Sequence, residues 1–164
     1  MKSPNLSLRP LAIAGVSILA AAAPATVRGQ LIDTKVVSLQ AAKTMATAAE
    51  AEAKKRGWTV AIAVVDVSGN LIVFQRMDDV QIGSVDVAIS KARTAARFKR
   101  PTKALADALA AGNTGILSIE GVAALTGGVP IIVDGKVLGA VGCSGMSADQ
   151  DAVAAQAGVD ALPH

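Results

Sequence analysis

Aromatic side chains are nearly absent from this 164-residue chain, which has no Tyr, one Trp and two Phe. Without aromatic platforms interleaved with cations it lacks the composition of a single-strand nucleic-acid binder, and no nucleic-acid partner is expected. Its one His is His164, the last residue, which leaves nothing for an interior Ser-His-Asp arrangement or a His-based metal cluster. Cys143 is the one cysteine, so an intrachain disulfide is excluded, and it reads as a small buried hydrophobe in a strand. No P-loop, dinucleotide fingerprint, internal repeat or long low-complexity linker is present.

Long apolar runs are scarce too. Lys2 and Arg9 precede one run at residues 11–23, followed by small residues that suit a signal peptidase. That run is short against the ~20 residues of a spanning helix, so residues 1–29 are expected to be a removable secretory leader rather than an anchor. Residues 30–164 then form a single domain, periplasmic or secreted, with no stable membrane insertion after cleavage. The formal charge of +3 belongs to the leader: without Lys2, Arg9 and Arg28, sixteen cations become thirteen, equal to the thirteen acids.

Residues 127–145, GGVPIIVDGKVLGAVGCSG, hold the clearest local signal. Asp134-Gly135 between two apolar runs predicts a type I′ hairpin pairing 131–133 with 137–141. Gly127, Gly128, Gly142 and Gly145, with Ser144, leave bare backbone that a ligand can approach. Residues 58–66 and 71–75, on either side of Ser68-Gly69-Asn70, predict a second hairpin, and their nearly continuous apolar runs predict a sheet covered on both faces. Helices are expected at 34–56, closed by Lys54-Lys55-Arg56-Gly57; at 84–97, with Ser84 as cap; and at 102–111, separated by Pro101. Between the last of these and the second hairpin lies a loop with room for a short strand. A capping-box pattern at Ser147 to Gln150 opens a final helix running to about residue 162. Strands grouped as hairpins favour an antiparallel α+β domain over a doubly wound one.

Charge is concentrated in one place. Lys91, Arg93, Arg97, Lys99, Arg100 and Lys103 put six cations into thirteen residues. Arg93, Arg97 and Arg100 fall on one helical face at i, i+4 and i+7, suited to a carboxylate or phosphate, while Lys91 and Thr94 share another stripe expected at a subunit contact or pocket wall. Arg76 and Asp78 follow the second strand, as an ion pair or as ligand contacts. The helix start at Ser147 offers an anion site beside Ser144, although Asp149 and Asp151 already occupy its field.

Val64-Val65-Asp66 with Gly69 and Leu71, Arg76-Met77-Asp78, Ser84 through Lys91-Ala92-Arg93-Thr94-Ala95, and Gly127-Gly128-Val129-Pro130-Ile131 with Asp134-Gly135, Gly139, Gly142, Ser144-Gly145 and Gln150-Asp151 form a pattern defined by their order and spacing together. In these residues the chain resembles the GlcG/HbpS proteins, which share their domain with the C-terminal part of PduO proteins. The resemblance spans nearly the whole mature chain. It implies a profilin-like fold, a central antiparallel sheet with helices on both sides, in a protein that commonly forms homo-oligomers and is associated with haem binding or degradation. For haem iron, the conventional donors left in the mature domain are Met45, Met77, Met146 and Cys143, with Thr94 as a weak oxygen ligand.

Three readings follow. The first is an exported module binding a small ligand, haem or another tetrapyrrole, through Arg76, Asp78, Lys91, Arg93, Thr94, Arg97, Gly127, Gly128 and Ser144. The second is a small catabolic enzyme using Lys91, Arg76 and Asp78 on a carboxylated or carbonyl compound. The third is a non-catalytic accessory oligomer.

Overall fold

Ser38 sets where the chain first becomes helical. In the computed structural model, which describes residues 32–162, the Ser38 side chain accepts the Ala41 amide at 3.1 Å and helix α1 spans Leu39–Lys55. The helix therefore begins five residues later than residue 34, where the sequence placed it, because the cap fixes extended backbone at Ser38. Lys54 and Lys55 lie in its last turn, as expected. The expected leader and His164 lie outside the described residues.

Two hairpins follow the predicted positions. β1 (Ala61–Asp66) pairs antiparallel with β2 (Leu71–Arg76), and β3 (Gly128–Val133) with β4 (Lys136–Ser144). Asp134 and Gly135 both have positive φ, 50° and 72°, as the type I′ reading requires. The second hairpin is longer than residues 131–141, extending to Gly128 opposite Gly142, and its register shifts between Ile131 and Ile132. β1 also pairs with β4, so the hairpins join into one antiparallel sheet of order β2-β1-β4-β3.

Both faces of that sheet are covered, for the reason its apolar runs suggested. Alternate β1 residues face opposite ways: Ile62 and Val64 join Met45 of α1 and Ala154 of α4 (Ala148–Asp160), while Ala61, Ala63 and Val65 meet Ala88, Ala92 and Ala95 of α2 (Ser84–Phe98). The small residues of α2 let it lie close. A Cβ at Gly142 would stand 2.3 Å from the Ala88 carbonyl oxygen, and one at Gly128 2.3 Å from that of Lys91. The bare backbone that the sequence offered to a ligand is thus used on this face to seat a helix.

Three local expectations are corrected. Ser84 is not the cap of α2: Gly83 is, and Ser84, the first helical residue, turns inward with its hydroxyl buried and unpartnered, because the turn from Gln81 starts the coil one residue early. Arg100 does not continue the Arg93–Arg97 face, because Lys99 adopts left-handed backbone at φ 52° ahead of Pro101 and ends the helix. The segment after α3 (Thr102–Ala110) contains a 3-10 turn, Thr114–Ser118, and no strand. The capping box of α4 is present as read, with Ser147 and Gln150 satisfying each other's amides.

Candidate functional site

Helix α2 carries the cations of the expected site, and the fold sends them in two directions. Lys91 points inward. Its ammonium donates to Asp151 Oδ2 at 2.7 Å and to the Cys143 carbonyl at 3.1 Å, tying α2 to α4 and β4, and both side chains of the pair are at most 4% exposed. Asp151 Oδ1 accepts the Met146 amide at 3.0 Å. Burial pushes the Asp151 carboxyl above the ordinary carboxylate range, against the pull of the Lys91 ammonium and that amide. Gly127 makes room for the pair: at φ 128° it sits where a Cβ would be 2.8 Å from Lys91 Nζ and 2.9 Å from the Cys143 oxygen. Burial, reinforced by the Asp151 charge, pushes the Cys143 thiol well above its ordinary value, so it stays protonated and inert.

Thr94 also points inward, its hydroxyl accepting the Ala123 amide at 2.9 Å and fastening the segment that leads to Gly127. Lys91 and Thr94 do line a common stripe, but inside the protomer and not at its surface. Thr102, a residue missed from the sequence, holds the Gly128 amide at 2.9 Å. Gly127 and Gly128 also border a groove of about 260 Å³ with Pro101, Lys103, Ala152 and Gln156. Ser144 is buried in β4 opposite Ala61.

Arg93 and Arg97 point outward, across the turn between β1 and β2. Arg93 Nε donates to the Gly69 carbonyl at 3.0 Å and Arg97 Nε to the Ser68 carbonyl at 2.9 Å. Gly69 is favoured by its φ of 87°, and a Cβ there would lie 2.8 Å from Arg97 Nε and 3.2 Å from Arg93 Cγ, so that the arginines would have to shift. Those two distances also place the arginine side chains side by side. The turn is built by Asp66, whose Oδ1 accepts the Ser68 and Asn70 amides, each at 2.8 Å, while Oδ2 accepts the Asn70 side chain at 3.1 Å. Partial burial opposes ionisation of Asp66, but the Asn70 and Ser68 donors outweigh it and hold its carboxyl below the ordinary range.

Among the described residues no ion pair includes Arg93 or Arg97. Asp66 is committed to its turn, so two adjacent guanidiniums keep their outer nitrogens for something else. Arg76 and Asp78 are exposed at the end of β2 and make no ion pair with each other or with Lys91. Seven of the nine sequence-predicted residues therefore fall into three groups, with Lys91, Gly127 and Gly128 around the buried pair, Arg93 and Arg97 on the turn, and Arg76 and Asp78 at the strand end, while Thr94 and Ser144 are buried. No group of three or more His, Cys, Asp or Glu among the described residues could hold a metal ion.

Residues 37–160 match the family described as haem degrading protein HbpS-like. The chain belongs to the HbpS-like family. It is 41% identical to protein GlcG of Escherichia coli K12 over 112 residues, covering 68% of this chain and 84% of GlcG. It is 38% identical over 128 residues to a 15.0 kDa protein from the dhaT-dhaS intergenic region of Citrobacter freundii, covering 76% and 90% of the two chains. Among solved structures, HbpS superposes with TM-score 0.78 at 36% identity, covering 85% of this chain and 99% of that one. A PduOC:heme complex superposes with TM-score 0.73 at 30% identity, covering 78% and 96%. These likenesses place the antiparallel sheet and its helices in the HbpS-like fold and link this family to the PduO C-terminal domain.

Proposed function

We propose that this HbpS-like chain binds a carboxylated tetrapyrrole of the haem type, with the ligand's carboxylates on Arg93 and Arg97. One observation carries the reading: two guanidiniums stand side by side, each anchored through Nε to a carbonyl of one turn, with no carboxylate partner among the described residues. Anchoring at Nε leaves the Nη nitrogens of each arginine free for paired, charge-assisted hydrogen bonds to a carboxylate. A solved haem complex of a related domain supports the choice of ligand class. A flat ring also needs apolar cover, which a second copy of the chain would supply in a homo-oligomer. The leader pattern at residues 1–29 favours export, so the site would work in the periplasm or outside the cell.

The residues present suit the acidic edge of haem better than its iron. Of the sulfur donors among the described residues, Met45 and Cys143 are wholly buried and the Met77 sulfur accepts the Val60 amide at 3.4 Å, which leaves Met146 at 37% exposure. When bound, haem would supply the redox and ligand-binding chemistry of its iron, while Arg93 and Arg97 hold and orient its edge. The catabolic alternative gains no geometric support, because the Lys91 ammonium is sealed against Asp151 and apart from Arg76 and Asp78.

Titrating the purified mature protein with haemin tests the proposal. A Soret shift saturating at a defined ratio is expected, weakened at least about tenfold, or 1.4 kcal/mol, by the double substitution Arg93→Ala/Arg97→Ala. An unchanged spectrum, or binding indifferent to both arginines, would overturn it. Decay of the chromophore with release of iron would add degradation to binding.

A further inference from the structure

We infer that this site reads its ligand's carboxylates and ring and not the central metal, so that an iron-free porphyrin dicarboxylate binds about as tightly as haem. The inference rests on the tetrapyrrole reading above and names the ligand class more narrowly.

Strong protein ligands to haem iron are His, Cys, Met and Tyr. This chain has no Tyr, and its one His is the terminal His164. Met45 and Cys143 both belong to the core under α1 and α4, so neither sulfur reaches an external ring without opening that core. Met77 is committed to the Val60 amide. Thr94, the weak oxygen donor on α2, is 1% exposed and its hydroxyl holds Ala123. Met146 is the one well-exposed sulfur among the described residues, at the N-terminal end of α4, with Met77 half-buried, while Arg93 and Arg97 reach across the turn between β1 and β2. A second copy adds more of the same side chains and no new kind of donor, so assembly into a homo-oligomer leaves the set unchanged.

The acidic end of the ligand meets the opposite situation. Two guanidiniums are already oriented by the turn, so little side-chain freedom is lost when carboxylates arrive. Recognition built on that pair depends on the two carboxylates of the porphyrin edge, which are the same with and without iron.

Calorimetric titration of the purified full-length protein with haemin, iron-free protoporphyrin and its dimethyl ester provides the test. Haemin and the free porphyrin are expected to agree within about threefold in Kd, and the ester and the Arg93→Ala/Arg97→Ala variant to bind at least about tenfold more weakly. Arg93→Lys and Arg97→Lys variants, checked by thermal melting, keep charge but lose the Nε anchor, and are expected to weaken both ligands equally. Met146→Leu and His164→Ala are expected to leave both affinities unchanged. Haemin binding at least about tenfold tighter than the free porphyrin, with the advantage lost in Met146→Leu or His164→Ala, would overturn the inference and leave the tetrapyrrole reading standing. An ester that binds as well as the diacid would also overturn it. Failure of all three compounds to bind would overturn the tetrapyrrole reading itself, and this inference with it.

Discussion

Lys91 and the pair Arg93 and Arg97 stand within two turns of one helix, yet the fold treats their charges in opposite ways. Lys91 is withdrawn from water and given an ion partner sixty residues away, with a carbonyl as second acceptor. Arg93 and Arg97 are left at the surface, fastened by one nitrogen each to a backbone turn and denied a carboxylate. A buried charge held in this manner joins elements: removing it leaves another charge buried and unpaired, so its loss is felt in stability. A charge that is oriented but not neutralised costs the fold little to lose, and is placed where an external anion can use it. Proximity along the helix says nothing about shared function here, because the α-helical period separates the two stripes.

The largest expected effect falls on the buried side. Lys91→Met leaves Asp151 in the core with backbone amides alone as donors, Met146 foremost, and should lower the unfolding free energy by about 3–5 kcal/mol. The urea midpoint measures this, and Lys91→Met/Asp151→Asn should recover much of the loss. A single variant as stable as the parent would erase the contrast. Next comes Gly69→Ala, which forces a side chain into left-handed backbone and against Arg97 Nε, at about 1–3 kcal/mol. It should weaken ligand binding as well, by dislodging both arginines. Arg93→Ala and Arg97→Ala are expected to change stability by no more than about 0.5 kcal/mol each, with their effect confined to binding.

The sequence made the contrast only half visible. The hairpins were legible because Asp134-Gly135 and Ser68-Gly69-Asn70 are local turn chemistry, and the helices because caps and breakers such as Ser147 and Pro101 act within a few residues. Stripe arithmetic separated Lys91 and Thr94 from Arg93 and Arg97, but could not tell which stripe faces the core, since a Lys on an Ala-rich helix reads as surface. Asp151 as the partner of Lys91 is a contact across sixty positions, invisible to any local pattern, although both residues belong to the segments carrying the family resemblance. The same limit hid Thr102 behind Gly128, and hid the second demand on Gly128 and Gly142, because the close-packed helix that needs them lies elsewhere in the chain. Asp66 was nearer to legible: an Asp followed by Val-Ser-Gly-Asn is an Asx-turn signature, and only its service to the arginines required the structure.

The smallest effect concerns that turn and separates its charge from its shape. With the Asp66 carboxyl held below the ordinary value of about 3.9, the unfolded chain takes up its proton first as pH falls. Its contribution is therefore complete above the ordinary range and is lost as pH drops through the folded value, opposite in sign to that of Asp151, whose raised value costs stability as pH rises through it. Asp66→Asn retains an oxygen for the Ser68 and Asn70 amides but sets an amide nitrogen against the Asn70 side chain. The variant should be less stable than the parent at neutral pH, and the difference should narrow as acid protonates the parent's carboxylate. Urea unfolding followed from neutral pH down through the carboxylate range checks this. A gap that stayed constant with pH would mean that the turn holding Arg93 and Arg97 depends on the shape of residue 66 and not on its charge.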